Sequence, residues 1–128
     1  MFEIGVIGQF EAAHRLHGAF GPATNLHGHT YRLEVTLRAP ELRLDGTLFD
    51  LARLRELVDA VSSSLHYQDL DAMPDLAGRN TTAETVADYC WERIAAGLTA
   101  PPSATLGVRV YESPQAWAAR EDALPSSS

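Results

Sequence analysis

The stretch from Phe10 to Tyr31 reads FEAAHRLHGAFGPATNLHGHTY and holds four of the chain's five histidines. Residues two apart in a β-strand point to the same face, so His27 and His29 project side by side, about 7 Å apart at the backbone. Two imidazoles at this spacing can bind one metal ion at Zn–N distances of about 2.0–2.1 Å. Gly28 between them has no side chain and leaves the opposite face of the strand open.

His14 is the third candidate ligand, because it ends another alternating run that a neighbouring strand can bring alongside. Three histidines without a fourth protein ligand make an open site, which is typical of catalytic rather than structural zinc. Spacing alone leaves another interpretation open, since one His-x-His pair among five histidines is unremarkable. His17 lies in the glycine-containing loop 15–25, where we expect a solvated histidine.

Length and composition predict one domain. The chain has 128 residues, 45% of them hydrophobic, and we expect a single domain over residues 1–118 with a disordered tail over 119–128. The net charge of −7 argues against nucleic-acid or anionic-membrane partners. Neither a membrane span nor a signal peptide is evident. The single cysteine, Cys90, cannot form an internal disulfide, which fits a cytoplasmic protein.

The hydrophobic pattern predicts an α+β fold in the order β–β–β–α–α–β. We expect Asp50 to cap the first helix, and Thr81 with Glu84 to form a capping box at the start of the second. Cys90, on the apolar stripe of that second helix, is expected to be a small buried hydrophobe. The result is a four-stranded antiparallel sheet with two helices on one face. The predicted strands are Phe2–His14, Thr30–Ala39, Thr47–Phe49 and Thr105–Glu112.

A series of motifs resembles the 6-pyruvoyl-tetrahydropterin synthase family, which includes the bacterial 6-carboxytetrahydropterin synthases of the queuosine pathway. The resemblance covers most of Phe2–Glu112. It implies the tunnelling fold, in which sheets from several subunits join around a pore, and hence a homo-oligomer, either a trimer or a hexamer. The motifs, in order, are Phe10–Leu16, Leu26–His29, Gly46–Asp50, Pro74–Leu76, Asn80–Glu84 and Tyr111–Glu112.

The resemblance also implies residue roles. The family's three histidines that match His14, His27 and His29 bind zinc, and the glutamate that matches Glu112 holds the 2-amino and ring N–H groups of a pterin. One carboxylate can accept two such parallel N–H bonds and so fix the orientation of the ring. In this family the site lies between subunits, so Glu112 could come from a neighbour. Without the resemblance, an ordinary surface glutamate is the favoured interpretation of Glu112.

Two departures from the family pattern concern the acid–base groups. Family members carry a cysteine base shortly before the His-x-His pair, but Gly21 and Ala23 stand at the matching positions here. No glutamate lies between His17 and His27, so the aldolase-like variants with an acidic residue there are not matched either. Losing one general base typically costs about 10²–10⁴-fold in rate, which argues against ordinary synthase activity.

The second departure is Leu65-His66-Tyr67, where the family has Leu-Asp-His. His66 can serve as a base because its unperturbed pKa is about 6.5, although it is equally an ordinary loop histidine. Asp69 and Asp71 are further candidates to hold or replace His66. Tyr67 can donate a proton or simply pack.

These observations favour a zinc-dependent lyase-like enzyme that acts on dihydroneopterin triphosphate or a related reduced pterin. His66 and Asp69 are its candidate catalytic residues, and a side-chain cleavage of retro-aldol type is one possible reaction. The alternative is a non-catalytic, zinc-containing pterin- or purine-binding homologue. A third hypothesis is a structural oligomer in which four protein ligands hold the zinc.

Overall fold

The chain forms a five-stranded sheet in the order β3-β1-β2-β4-β5, and two helices complete the α+β fold that the sequence predicted. The structure is a computed structural model that describes residues 1–99 and 101–125. Every neighbouring pair of strands is antiparallel except β1 and β3, which are parallel. The elements are β1 (Phe2–His14), β2 (His27–Ala39), α1 (Leu51–Leu65), β3 (Gln68–Asp69), α2 (Ala83–Ala96), β4 (Thr105–Ser113) and β5 (Ala116–Ala123).

The core lies between one face of the sheet and the two helices, as predicted. β1 and β2 pair along their whole lengths, so Phe10 faces Tyr31 across the hairpin and the two rings stack at 4.9 Å. On the same face, α2 is anchored by Trp91, whose indole N–H donates to the Leu106 carbonyl of β4 at 2.8 Å. The opposite face of the sheet carries mostly polar and charged residues. The alternation of apolar and polar residues along the strands therefore determines which face is buried.

Gly8 lies where α1 packs against β1. A Cβ atom at this position would be 2.7 Å from Ser62 Oγ and 3.0 Å from Val58 Cγ1. The strand is not interrupted here, because Gly8 stays paired with Leu33 of β2. Its function is therefore to let α1 approach the sheet closely.

Replacing Gly8 with valine is expected to lower the free energy of unfolding by about 1–3 kcal/mol, because the added atoms overpack the interface with α1. Urea denaturation measures the change. Gly28→Val is the matched control, since a Cβ at Gly28 would meet only the Ala12 carbonyl oxygen, at 3.7 Å. Equal losses of stability in the two variants would contradict this account.

The predicted third strand, Thr47–Phe49, is wrong. The Asp45 carboxylate accepts hydrogen bonds from the backbone N–H and the hydroxyl of Thr47, at 3.0 and 2.6 Å. These bonds close a local turn that competes with strand pairing. Leu48 is buried in this irregular segment and still contributes to the core.

Two strands were missed, which makes the sheet five-stranded rather than four-stranded. β3 has only two residues and pairs with Ala12 and Ala13 of β1. β5 pairs with β4 along residues 116–123, so the prediction of a disordered tail is wrong for residues 119–123. Arg120 of β5 lies 3.7 Å from the centre of the Trp91 ring, so an aromatic platform and ion pairs hold this alanine-rich strand. Residues 126–128 lie outside the described residues.

The helix starts follow their capping residues. Asp50 caps α1 as predicted, and its side chain accepts from the backbone N–H groups of Ala52 and Arg53. The second cap is Thr82 rather than Thr81, because the Thr82 hydroxyl accepts from the Thr85 N–H while Thr81 is directed elsewhere.

Cys90 is fully buried in α2, and burial raises the pKa of its thiol to about 12, consistent with a core residue. Among the described residues, no helix has the length and apolar character needed to cross a membrane.

Candidate metal centre

The three histidines that the sequence predicts as metal ligands lie together at one end of the sheet. β2 begins at His27, so His27 and His29 both lie on the strand and share its buried face. The antiparallel register places His14 opposite His27 and Ala12 opposite His29. The centre of the His14 ring lies 4.6 Å from that of His27 and 5.0 Å from that of His29. Each of the three rings offers one ligand nitrogen, and these nitrogens all lie within 4.8 Å of one another.

Backbone carbonyls determine which nitrogen of two rings faces the centre. His14 Nδ1 lies 2.6 Å from the Thr81 carbonyl, and His27 Nδ1 lies 2.7 Å from the Asn25 carbonyl. A carbonyl oxygen can only accept, so each Nδ1 carries the proton and each Nε2 keeps its lone pair. Support of this kind from a carbonyl is the usual arrangement for a metal-binding histidine.

The Nε2 atoms of His14 and His29 are buried and have no hydrogen-bond partner among the described residues. Buried polar atoms without partners are unusual and need an explanation. Burial also lowers the pKa of His29, with the nearby His14 and His27 acting in the same direction and Glu112 opposing them. The lowered pKa favours the neutral imidazole that a metal requires, so the residues present fit a divalent transition ion.

Glu112 completes the surroundings of this cluster. Its carboxylate oxygens lie 4.0 Å from His14 Nε2 and 3.9 Å from His29 Nε2, and its side chain is 27% exposed. Within one chain, Glu112 already reaches the cluster, and a glutamate supplied by a neighbouring subunit stays a prediction. The carboxylate is thus close to two of the three imidazoles and partly open to solvent.

Tyr31 also borders the cluster, although the sequence indicated only a core residue. Its ring centre lies 5.4 Å from that of His29, and its buried hydroxyl has no partner among the described residues. Burial, followed by the charges of Glu112 and Asp71, raises the pKa of this hydroxyl, so the phenol stays protonated. No periodicity in the sequence separates such a tyrosine from an ordinary core residue.

His66 and Asp69, the predicted catalytic residues, lie apart from the three imidazoles. His66 follows the end of α1, and its Nδ1 accepts from the Glu11 backbone N–H at 3.0 Å. Asp69 accepts from the Asp71 backbone N–H at 3.0 Å and so caps a short 3-10 turn. Asp69 also lines a cavity of about 500 Å³ that His29 and Tyr67 border. Within one chain, therefore, Asp69 shares a cavity with one of the histidines, whereas His66 does not line it.

His17 stays outside the cluster, as expected for a loop histidine. Its side chain is 66% exposed, and its Nε2 lies 3.8 Å from the Asp71 carboxylate.

An open set of three imidazoles at the end of an α+β sheet is typical of an enzyme that uses a divalent metal ion. A sequence model of the 6-pyruvoyl tetrahydropterin synthase family matches residues 3–123. The chain therefore belongs to this family, and the predicted class of enzyme, a lyase of the family, is confirmed.

Individual relatives agree with this assignment. The 6-pyruvoyl tetrahydrobiopterin synthase of Drosophila melanogaster is 31% identical over 120 residues, which cover 83% of this chain and 71% of that protein. The dihydroneopterin monophosphate aldolase of Pyrococcus furiosus is 34% identical over 89 residues, covering 70% of this chain and 71% of that protein. The structure of Caenorhabditis elegans 6-pyruvoyl tetrahydropterin synthase matches with a TM-score of 0.82 and 26% identity, over 94% of this chain and 95% of that one. The predicted fold is thereby confirmed.

Proposed function

We propose that this protein is a zinc-dependent lyase that acts on a reduced pterin, dihydroneopterin triphosphate or a close relative of it. The observation that carries the proposal is the convergence of three imidazoles beside Glu112, with two buried Nε2 atoms that have no hydrogen-bond partner in the described part of the chain. A site of this kind combines ligands for a cation with an acceptor for the N–H groups of a heterocycle.

The residues of the candidate site would have separate roles. His14, His27 and His29 would hold the zinc ion through nitrogens directed at one point. Zinc bound there would polarise the side-chain oxygens of the substrate and acidify the adjacent C–H and O–H groups. Glu112 would accept two N–H bonds from the pterin ring and so fix the orientation of the ring in the site.

Acid–base chemistry must come from groups other than a cysteine, since the only thiol is buried in α2. Asp69 and Tyr67 line the cavity of about 500 Å³ that reaches His29, a volume in the range typical of small-molecule sites. We therefore keep Asp69 as a candidate acid–base residue. His66, which lies outside that cavity, would need a neighbouring subunit or a rearrangement to reach the substrate.

The relatives support two kinds of bond cleavage. The Drosophila protein is named a synthase and the Pyrococcus protein an aldolase. The first name suggests carbon–oxygen cleavage with loss of phosphate, and the second suggests carbon–carbon cleavage of the side chain. The missing cysteine favours the second reaction, because breaking the side chain needs fewer protons to be moved along it.

The experiment incubates zinc-loaded and chelator-treated protein with the triphosphate and monophosphate of dihydroneopterin and follows the products by chromatography with mass detection. We expect turnover only with zinc. Release of inorganic triphosphate would identify elimination, whereas a pterin with a shortened side chain would identify carbon–carbon cleavage. Binding without conversion of either compound would instead support the non-catalytic homologue.

The remaining expectations stay predictions. A homo-oligomer is expected from the family, and light scattering of the purified protein would measure its mass. A cytoplasmic location and a connection with queuosine biosynthesis are likewise predictions from the sequence.

A further inference from the structure

His14 stands at the end of β1, where a strand loses the support of its neighbours, yet its side chain is only 1% exposed. Contacts from the connection between α1 and α2 hold this end of the strand. His14 Nδ1 pairs with the Thr81 carbonyl, and Thr81 itself is fully buried. The position of the candidate ligand therefore depends on where residue 81 lies, 67 positions along the chain.

Asp71 fixes the position of Thr81. One carboxylate oxygen accepts from the Thr81 hydroxyl at 3.0 Å, and the other accepts from the Arg15 backbone N–H at 2.8 Å. The same carboxylate thus joins the residue that follows His14 to the residue that supports its ring. Hydrogen bonds to an ionised acceptor are roughly twice as strong as those between neutral groups, so this link is a rigid one.

Asn80 adds a second link beside it. Its side-chain oxygen accepts from the His17 backbone N–H at 2.9 Å, and its amide nitrogen donates to the His17 carbonyl at 3.1 Å. These paired bonds hold the chain three residues beyond His14 without using the His17 imidazole. The loop that leaves the candidate site is thereby attached to the same segment as the ligand itself.

We infer that Asp71, Asn80 and Thr81, here called the clasp, are positioning residues that set the orientation of His14 toward the metal. This inference rests on the proposed function, because it assumes that His14 binds the ion. The clasp supplies the outer support that a metal-binding imidazole requires, and it comes from the connection between α1 and α2 rather than from the strands that carry the histidines. Losing outer-shell support of this kind typically weakens metal affinity 10- to 100-fold.

The experiment measures zinc affinity by competition with a chromophoric chelator, and the ligand-field absorption of the Co²⁺-loaded protein, in the full chain. Thr81→Val removes the hydroxyl but keeps the shape and the backbone carbonyl. We expect a 10- to 100-fold loss of zinc affinity and a changed Co²⁺ spectrum, with both restored in Thr81→Ser. Asp71→Ala is expected to act in the same direction.

Asp75→Ala is the matched control, because Asp75 lies on the same connection and bonds to Tyr89 and Arg93 without touching the clasp. A general loss of stability would lower the melting temperature of the metal-free protein without altering the Co²⁺ spectrum. If Thr81→Val fails to fold, the isosteric Asp71→Asn carries the same test.

Folded clasp variants whose zinc affinity and Co²⁺ spectrum match the wild type would overturn the inference and leave the proposed function standing. A wild-type protein that binds neither Zn²⁺ nor Co²⁺ at these histidines would overturn both proposals together.

Discussion

Replacing His14 with alanine is expected to abolish metal-dependent turnover and to weaken zinc binding by more than about 100-fold, beyond the effect typical of a lost supporting group. The reason is geometric, since His14 is the most buried of the three histidines and its Nε2 has no other partner among the described residues. Chelator competition measures the affinity, and the product assay measures the turnover.

His17→Ala is the control for this experiment. It removes an imidazole only three residues away, but one that is 66% exposed and not part of the three-histidine cluster. Metal binding and turnover are expected to stay near the wild-type level. If His14→Ala and His17→Ala bind zinc equally well, the three-histidine centre is wrong.

Replacing Glu112 with glutamine is expected to weaken pterin binding about 10- to 100-fold while zinc stays bound. A hydrogen bond to a charged group contributes about 1.5–3 kcal/mol, and about 1.4 kcal/mol corresponds to a factor of ten. The neutral amide also presents an N–H group where the pterin offers its own donors. Titration of a reduced pterin into the zinc-loaded protein, with metal content determined in parallel, measures the effect.

Glu34→Gln is the matched control for Glu112. Both side chains are 27% exposed, but Glu34 lies on the opposite face of the sheet, paired with Arg32. It is expected to leave pterin affinity unchanged. Loss of zinc from Glu112→Gln would instead assign the carboxylate to the metal and favour the hypothesis of four protein ligands.

Much of the architecture followed from short-range patterns. The strict alternation after His27 placed both histidines on the apolar face of β2, and the structure keeps that register without interruption. The cap at Asp50 and the buried stripe of α1 also behaved as the helical spacing indicated. Such features can be derived because they depend on residues within a few positions of each other.

The two wrong predictions of strands have different origins. β5 is rich in alanine and charged residues, so its pattern resembles a tail, and only pairing with β4 and packing of Arg120 on Trp91 make it a strand. Thr47 has strand-like neighbours, but a local bond to Asp45 holds it in a turn.

The sequence by itself identified the candidate site residues: three histidines at strand ends, and the glutamate that matches the family's pterin-binding position. Only the tertiary structure decided how they are held. The carbonyl of Thr81 supports His14, 67 positions away along the chain. The carboxylate of Asp71 holds both the nearby Thr81 hydroxyl and the backbone N–H of Arg15, which is 56 positions away. Any residue can offer a backbone carbonyl, and many offer a hydroxyl or a carboxylate. Such partners therefore produce no periodic pattern in the sequence. They come together only when the connection between α1 and α2 packs against the end of β1.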